Sequence, residues 1–288
     1  MNGKILAVIP ARYASTRLPG KVLADVAGRP LVWHVWRRTR AATLVDEVLV
    51  ATDDRRVADA LRPLGVNVMM TRADHSCGTD RLAEVADRVE ADLLVNVQGD
   101  EPLIDPRTID AVVRPLLDDP SLPMATARHP LTDLERINDP SVVKVICDLS
   151  GRAVYFSRSP IPFIRDAQGT TGVSAVQPGA TGVSPIEEGA TGVSPVCGSA
   201  GASSSQSATP PFPKPLLHWQ HIGLYAYRRE AVLRFAQLAP TPLESAEKLE
   251  QLRALEHGWP IAVVETAHQS VGVDTPDDLR RVRALLAA

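Results

Sequence analysis

Ala7-Val8-Ile9-Pro10-Ala11-Arg12-Tyr13-Ala14-Ser15-Thr16-Arg17-Leu18-Pro19-Gly20-Lys21 is an apolar strand that turns abruptly into a cationic loop. Residues 5–9 form a nearly all-apolar run, the pattern of a parallel strand buried on both faces. Pro10 stops the strand, small residues let backbone amides approach a ligand, and Arg12, Arg17 and Lys21 put three cations on one loop. Such a loop suits a polyphosphate. Arginine forks onto two oxygens, lysine acts as a point charge, and each close contact is worth about 4 kcal/mol at intermediate dielectric. Solvated loop cations are the plainer reading of the same residues. The loop's position at the carboxyl end of the first strand, where open α/β sheets bind ligands, favours a site. Neither G-x-x-x-x-G-K-[ST] nor G-x-G-x-x-G is present, so neither a Walker loop nor a dinucleotide turn explains it.

Working outward, residues 24–30 read as a turn, 31–42 as a helix, 48–52 as a strand, 55–64 as a helix and 66–70 as a strand. This βαβαβ order predicts a mostly parallel, Rossmann-like sheet with helices on both faces. A helix from Gly78 to about Val89 and a fourth strand over 92–98 follow, with Gln98-Gly99-Asp100 just past the strand's end. Further on come a helix over 106–117 and a strand over 124–127. The runs 142–147 and 152–158 flank Asp148-Leu149-Ser150-Gly151 and predict an antiparallel hairpin. The chain closes with a strand over 216–228, a helix over 242–257, a strand over 261–265 and a helix over 277–286. The expected organisation is a nucleotide-binding α/β domain of residues 1–127 and 229–288, with a smaller α+β lobe of residues 128–228 that bears the hairpin.

Within that lobe, residues 167–215 differ in kind. Thr-Gly-Val-Ser recurs at Thr171, Thr181 and Thr191, followed by Ser203-Ser204-Ser205 and a proline-rich stretch ending at Pro215. Gly, Ser and Pro dominate, so the segment is expected to be disordered, because it has too little apolar surface to offset its ordering entropy. A small β-solenoid is the alternative, against which the narrow apolar face of a ten-residue unit counts.

Composition sets outer bounds. With 288 residues, 44% hydrophobic, the chain can bury a large core, and a net charge of -3 gives no support to nucleic-acid or membrane-surface binding. Three cysteines without C-x-x-C spacing predict reduced thiols and a cytoplasmic setting. No run is long enough to span a bilayer, and the first residues lack the form of a signal peptide.

Asp100, on the loop after a buried strand, is placed to hold a metal on a phosphate or to serve as a turn aspartate. Asp274 precedes Thr275-Pro276, a good helix start, and reads equally as a structural carboxylate. His221 and Tyr225 alternate onto one face of the 216–228 strand, a face suited to a sugar or to ordinary sheet packing. Glu250 and Gln251 lie off the leucine stripe of their helix. No Ser-His-Asp order or Cys-His pair suggests covalent catalysis.

These blocks carry a resemblance. Ile9-Pro10-Ala11-Arg12, Ser15, Arg17-Leu18-Pro19-Gly20-Lys21, Thr71-Arg72-Ala73-Asp74-His75, Asn96-Val97-Gln98-Gly99-Asp100-Glu101-Pro102, Tyr155-Phe156-Ser157-Arg158, His221-Ile222-Gly223, Leu249-Glu250-Gln251-Leu252-Arg253 and Gly272-Val273-Asp274-Thr275-Pro276 resemble the sugar-activating cytidylyltransferases, in particular the 3-deoxy-manno-octulosonate cytidylyltransferase (CMP-Kdo synthetase) family. The match spans almost the whole chain except the insertion. It implies a nucleotidyltransferase fold, transfer of CMP from CTP to the acid sugar Kdo for lipopolysaccharide biosynthesis, Mg²⁺ held by Asp100 and Asp274, and a homodimer through the smaller lobe. It further implies nucleotide contacts from Pro10, Ala11, Arg12, Arg17, Lys21, Arg72, Ser76, Gly78, Arg81, Gln98 and Asp100, and sugar contacts from Gln98, Arg158, His221, Tyr225, Glu250 and Gln251. Arg12, Arg17, Lys21, Asp100 and Asp274 would carry catalysis. Cys77 stands where the resemblance leads one to expect serine, and because a thiol is a weaker hydrogen-bond partner than a hydroxyl, the nearby Ser76 is put forward instead. A cytidylyltransferase for another acid sugar and a non-catalytic nucleotide-binding scaffold stand as alternatives.

Overall fold

Alternation along the first strand sends Ile5, Ala7 and Ile9 into one hydrophobic core and Leu6 and Val8 into another, as befits a central strand of a sheet covered on both faces. A computed structural model describes residues 3–14, 18–75, 77–165 and 218–287. Arg17, Ser76 and the insertion expected to be disordered lie outside the described residues. The chain divides into two units, residues 1–162 with 216–288, and residues 163–215; every element below belongs to the first.

The first half runs β1 Ile5–Pro10, a small hairpin of β2 Asp25–Val26 and β3 Arg29–Pro30, α1 Leu31–Thr39, β4 Glu47–Thr52, α2 Arg55–Leu61, β5 Val68–Met70, α3 Gly78–Arg88, β6 Leu93–Asn96 and α4 Pro106–Asp118. The second half runs β7 Met124–Pro130, α5 Leu134–Asn138, β8 Lys144–Cys147, β9 Ala153–Ser157, β10 Trp219–Arg228, α6 Arg229–Phe235, α7 Pro242–Glu247, α8 Gln251–Glu256, β11 Ile261–Glu265 and α9 Pro276–Ala287. Strands β11-β7-β10-β6-β1-β4-β5 lie side by side in that order. The β1–β4, β4–β5, β1–β6 and β7–β11 pairs are parallel, and β10 runs antiparallel between β6 and β7. This is the α/β, mostly parallel sheet expected from the sequence. The chain winds from β1 out to β5 and returns to β6 on the other side of β1. That reversal opens a crevice at the carboxyl ends of β1 and β6.

The expected hairpin is β8 against β9, with Lys144 opposite Ser157. It joins the same nine-stranded sheet through Gln220 of β10, opposite Lys144.

The largest difference from the sequence reading is in one helix. The helix expected over 242–257 is two helices, α7 and α8, separated by Lys248 in the left-handed region at φ 54. In an unbroken helix the carbonyls of Glu247 and Lys248 would accept from the amides three to four residues on. Here the Arg158 guanidinium takes them instead, Nε donating to Glu247 O at 2.7 Å and Nη2 to Lys248 O at 3.4 Å. A partner distant in sequence overrode a periodicity that was locally correct.

Candidate active site

Two loops meet at the crevice because Gly99 has no side chain. A Cβ at this position would stand 2.6 Å from the Pro10 carbonyl oxygen, so no other residue fits between the ends of β1 and β6. The loop after β1 closes on itself, Gly20 N donating to Tyr13 O at 3.1 Å, and Gly20 takes a left-handed turn at φ 68 that starts a short 3-10 helix at Lys21. From the far end of the chain, Val273 N donates to Asp100 O at 2.9 Å and draws Asp274 beside Asp100. Thr275 then starts α9 as the sequence suggested. Its hydroxyl accepts from Asp278 N at 3.2 Å while Asp278 Oδ2 accepts from Thr275 N at 2.9 Å.

The result is a three-point contact. Lys21 Nζ donates to Asp100 Oδ2 at 2.6 Å and to Asp274 Oδ1 at 2.9 Å, although Lys21 and Asp274 lie 253 residues apart. Burial alone would lower the ammonium's pKa, but the two carboxylates outweigh it and hold it above the ordinary lysine value. Lys21 is therefore cationic at any working pH. The surrounding cleft, about 320 Å³, is lined by Pro10, Arg12, Lys21, Gly78, Gln98, Asp100 and Asp274, seven of the residues named from sequence. Arg12 has a buried Nη2 with no partner among the described residues, a donor that an anion would satisfy. Ala11 is fully buried, its amide donating to Ala51 O at 2.8 Å.

A second polar group gathers on β10, β6 and the start of α8. Strand β10 is bulged between Ile222 and Tyr225, which turns the Gly223 carbonyl toward Gln98 Nε2 at 3.2 Å. Buried Thr126 donates to Leu224 O at 2.8 Å, which spends its one proton, and its oxygen lies 3.0 Å from His221 Nε2. Burial pushes the His221 pKa down to about 3, so the ring is neutral. His221 and Tyr225 pack with ring centroids 5.3 Å apart, on one face as the strand pattern predicted. Glu250 is held by the buried Thr79 hydroxyl, which donates to Oε1 at 2.5 Å. The Tyr225 hydroxyl, Glu250 Oε2, Gln251 Nε2 and both amide atoms of Asn96 are buried without partners among the described residues. So many unmet donors and acceptors suit a polyhydroxylated ligand. Asn96 was not singled out from sequence, although a polar residue closing an apolar strand was a readable signal.

Other residues named from sequence have different surroundings. Arg72 is largely exposed and pairs with Asp74 at 3.3 Å, in a separate depression with His75, Glu84 and Arg88. Arg81 is fully buried, with Nη1 bonded to Thr71 Oγ1 and Nη2 3.6 Å from Asp53, while Nε has no partner among the described residues. Arg158 spends its guanidinium on backbone carbonyls, including Pro140 O at 2.9 Å. Cys77 caps α3, its Sγ accepting from Asp80 N at 3.4 Å, and burial followed by the Glu250 charge pushes its thiol up to about 12.

Asp100 and Asp274 already share one cation, the Lys21 ammonium, so their oxygens converge on a point where positive charge is stabilised. Among the described residues no three His, Cys, Asp or Glu side chains form a metal cage. Two hard oxygen donors, completed by phosphate and water, match the preference of Mg²⁺.

Residues 6–261 match the cytidylyltransferase family. The chain is 49% identical over 278 residues to a 3-deoxy-manno-octulosonate cytidylyltransferase of Geobacter sulfurreducens, covering 96% of this chain and 97% of that one. It is 50% identical over 279 residues to the same-named protein of Geobacter metallireducens, covering 97% and 96%. Among solved structures, a CMP:2-keto-3-deoxy-manno-octonic acid synthetase complexed with CTP superposes with a TM-score of 0.79 at 40% identity, covering 99% of this chain and 98% of that one. Fold and site define a nucleotidyltransferase. Within that class, the chain belongs to the 3-deoxy-manno-octulosonate cytidylyltransferase family.

Proposed function

We propose that the chain joins CTP to Kdo, giving CMP-Kdo and pyrophosphate. The convergence of Lys21, Asp100 and Asp274 carries this reading, because it sets a cation for phosphate beside two carboxylates that would hold a countering Mg²⁺. Arg12, Arg17 and Lys21 bind phosphate oxygens. The unmet polar atoms of Asn96, Tyr225, Glu250 and Gln251, with His221 and Gln98 alongside, receive the sugar. The anomeric hydroxyl of the sugar attacks the α-phosphorus in line and pyrophosphate leaves; the protein's part is position and charge. Asp100 and Asp274 would hold Mg²⁺, which supplies countercharge to the transferring phosphate and the leaving group. With Mg²⁺ on the two acids, the Lys21 ammonium would be available to the phosphates. Neutral His221 can exchange a hydrogen bond with a sugar hydroxyl.

The nucleotide substrate and the free thiols of Cys77 and Cys147 support a cytoplasmic enzyme that supplies activated Kdo for lipopolysaccharide, and the family resemblance supports a homodimer. The test is pyrophosphate release with CTP against Kdo, its amino analogue and sialic acid, each with and without Mg²⁺. Release above background with Kdo alone, and only with Mg²⁺, is expected. Turnover of sialic acid in preference to Kdo would overturn the substrate assignment.

A further inference from the structure

The break between α7 and α8 is held from one side by a set of contacts that touches no cleft residue. Glu247 Oε1 accepts from the buried Ser157 hydroxyl at 2.6 Å and Oε2 from Arg158 N at 2.9 Å. The Arg158 side chain returns to the Glu247 and Lys248 carbonyls and reaches Pro140 O. Behind it, fully buried Lys144 donates from Nζ to the carbonyls of Asp139, Val142 and Arg158. The amide, carbonyl and guanidinium of Arg158 are all engaged: its amide, Nε and Nη2 bond across to Glu247 and Lys248, while its carbonyl and Nη1 anchor it to Lys144 and Pro140. A lysine at φ 54 costs roughly 1–2 kcal/mol by itself, so the bend persists because these contacts outweigh it. The residues directly after it are Glu250 and Gln251.

We propose that Glu247 is a positioning residue for sugar recognition: paired to Ser157 and Arg158, it fixes the Lys248 bend and so sets where Glu250 and Gln251 present their free polar atoms. Arg158 acts in the same bracket, through backbone carbonyls. The inference rests on the acid-sugar reading above, and it separates the sugar side of the cleft from the triphosphate side, to which the bracket makes no bond. It also assigns specificity to a hairpin that contributes no side chain to the Lys21 cleft.

The test compares Glu247→Gln and Ser157→Ala with the unaltered protein. The first removes the charge, the second a single bond. For Glu247→Gln, the KM for Kdo should rise about tenfold, the size of one charge-assisted hydrogen bond, while CTP affinity by titration stays within twofold and kcat changes less than KM. Ser157→Ala should shift the Kdo KM in the same direction by a smaller factor, and serves alone if the first variant does not fold. Amide hydrogen exchange of the ligand-free protein gives a reading independent of any sugar: exchange over residues 248–253 should quicken while residues 21–24 keep their rate. Unchanged exchange over 248–253 overturns the bracket. Quickened exchange with an unmoved Kdo KM, or CTP affinity falling in parallel, overturns the positioning role. Failure of the unaltered protein to turn over any acid sugar would instead overturn the substrate reading and leave the exchange result to judge the bracket.

Discussion

Asp100 is a carboxylate whose meaning depends on company. Alone in Gly99-Asp100-Glu101-Pro102 it reads as well for a turn as for a ligand; beside Asp274 and under the Lys21 ammonium at 2.6 Å it becomes half of a shared anionic site. Replacing Asp100 with Asn keeps shape and removes charge. Mg²⁺-dependent pyrophosphate release should fall by at least about 10²-fold, the scale of losing one electrostatic contact to a transferring group, while circular dichroism stays native. Turnover equal to the unaltered protein would remove Asp100 from the chemistry. Arg12 and Lys21 were readable as candidate phosphate residues because they sit on a strand-terminal loop, where sheets of this kind bind ligands, beside the plainer reading of solvated cations. Arg158 was not legible. Arginine next to a presumed acid-sugar site suggests a carboxylate clamp, and only its bonds to three backbone carbonyls reveal other work.

Helix α3 begins with a cap made of sulfur. Cys77 Sγ accepts from Asp80 N at 3.4 Å, a longer and weaker bond than a hydroxyl gives. Cys77→Ser should stabilise the protein by about 0.5–1 kcal/mol, or roughly 1–4 °C in thermal midpoint for a domain of this size. A midpoint unchanged or lowered by scanning calorimetry would show that the thiol's packing outweighs its capping. The break between α7 and α8 teaches the complementary lesson about elements. Leu249, Leu252 and Leu255 kept a helical spacing across 242–257, so local pattern gave no reason to divide the helix. Short α5 and α6 were passed over for a similar reason, being too brief to show a period, although Asp133 caps α5 by accepting from Glu135 N at 2.9 Å.

Across the whole molecule, the buried polar residues of the sugar side tie stability to pH. The folded protein holds the His221 imidazole neutral down to about pH 3, whereas the unfolded chain takes up a proton below about 6.5. Its contribution is complete above pH 6.5 and is lost as pH falls toward 3, because acid then favours the unfolded state. In denaturant titrations between pH 6.5 and 4, His221→Gln should flatten the decline by up to about 1.4 kcal/mol per pH unit relative to the unaltered protein. Parallel curves would mean that the imidazole is protonated in the fold. The sequence by itself determined the α/β sheet, the hairpin and the cationic loop, since these follow from periodicities of two and 3.6 residues and from charges close together in the chain. Tertiary structure alone decided that Asp274 meets Asp100, that Thr79 holds Glu250, and that Arg158 bends the chain at Lys248. Those pairings join residues about 90 or more positions apart, and a local pattern carries no information about which distant groups the packing of the sheet will bring into bonding range.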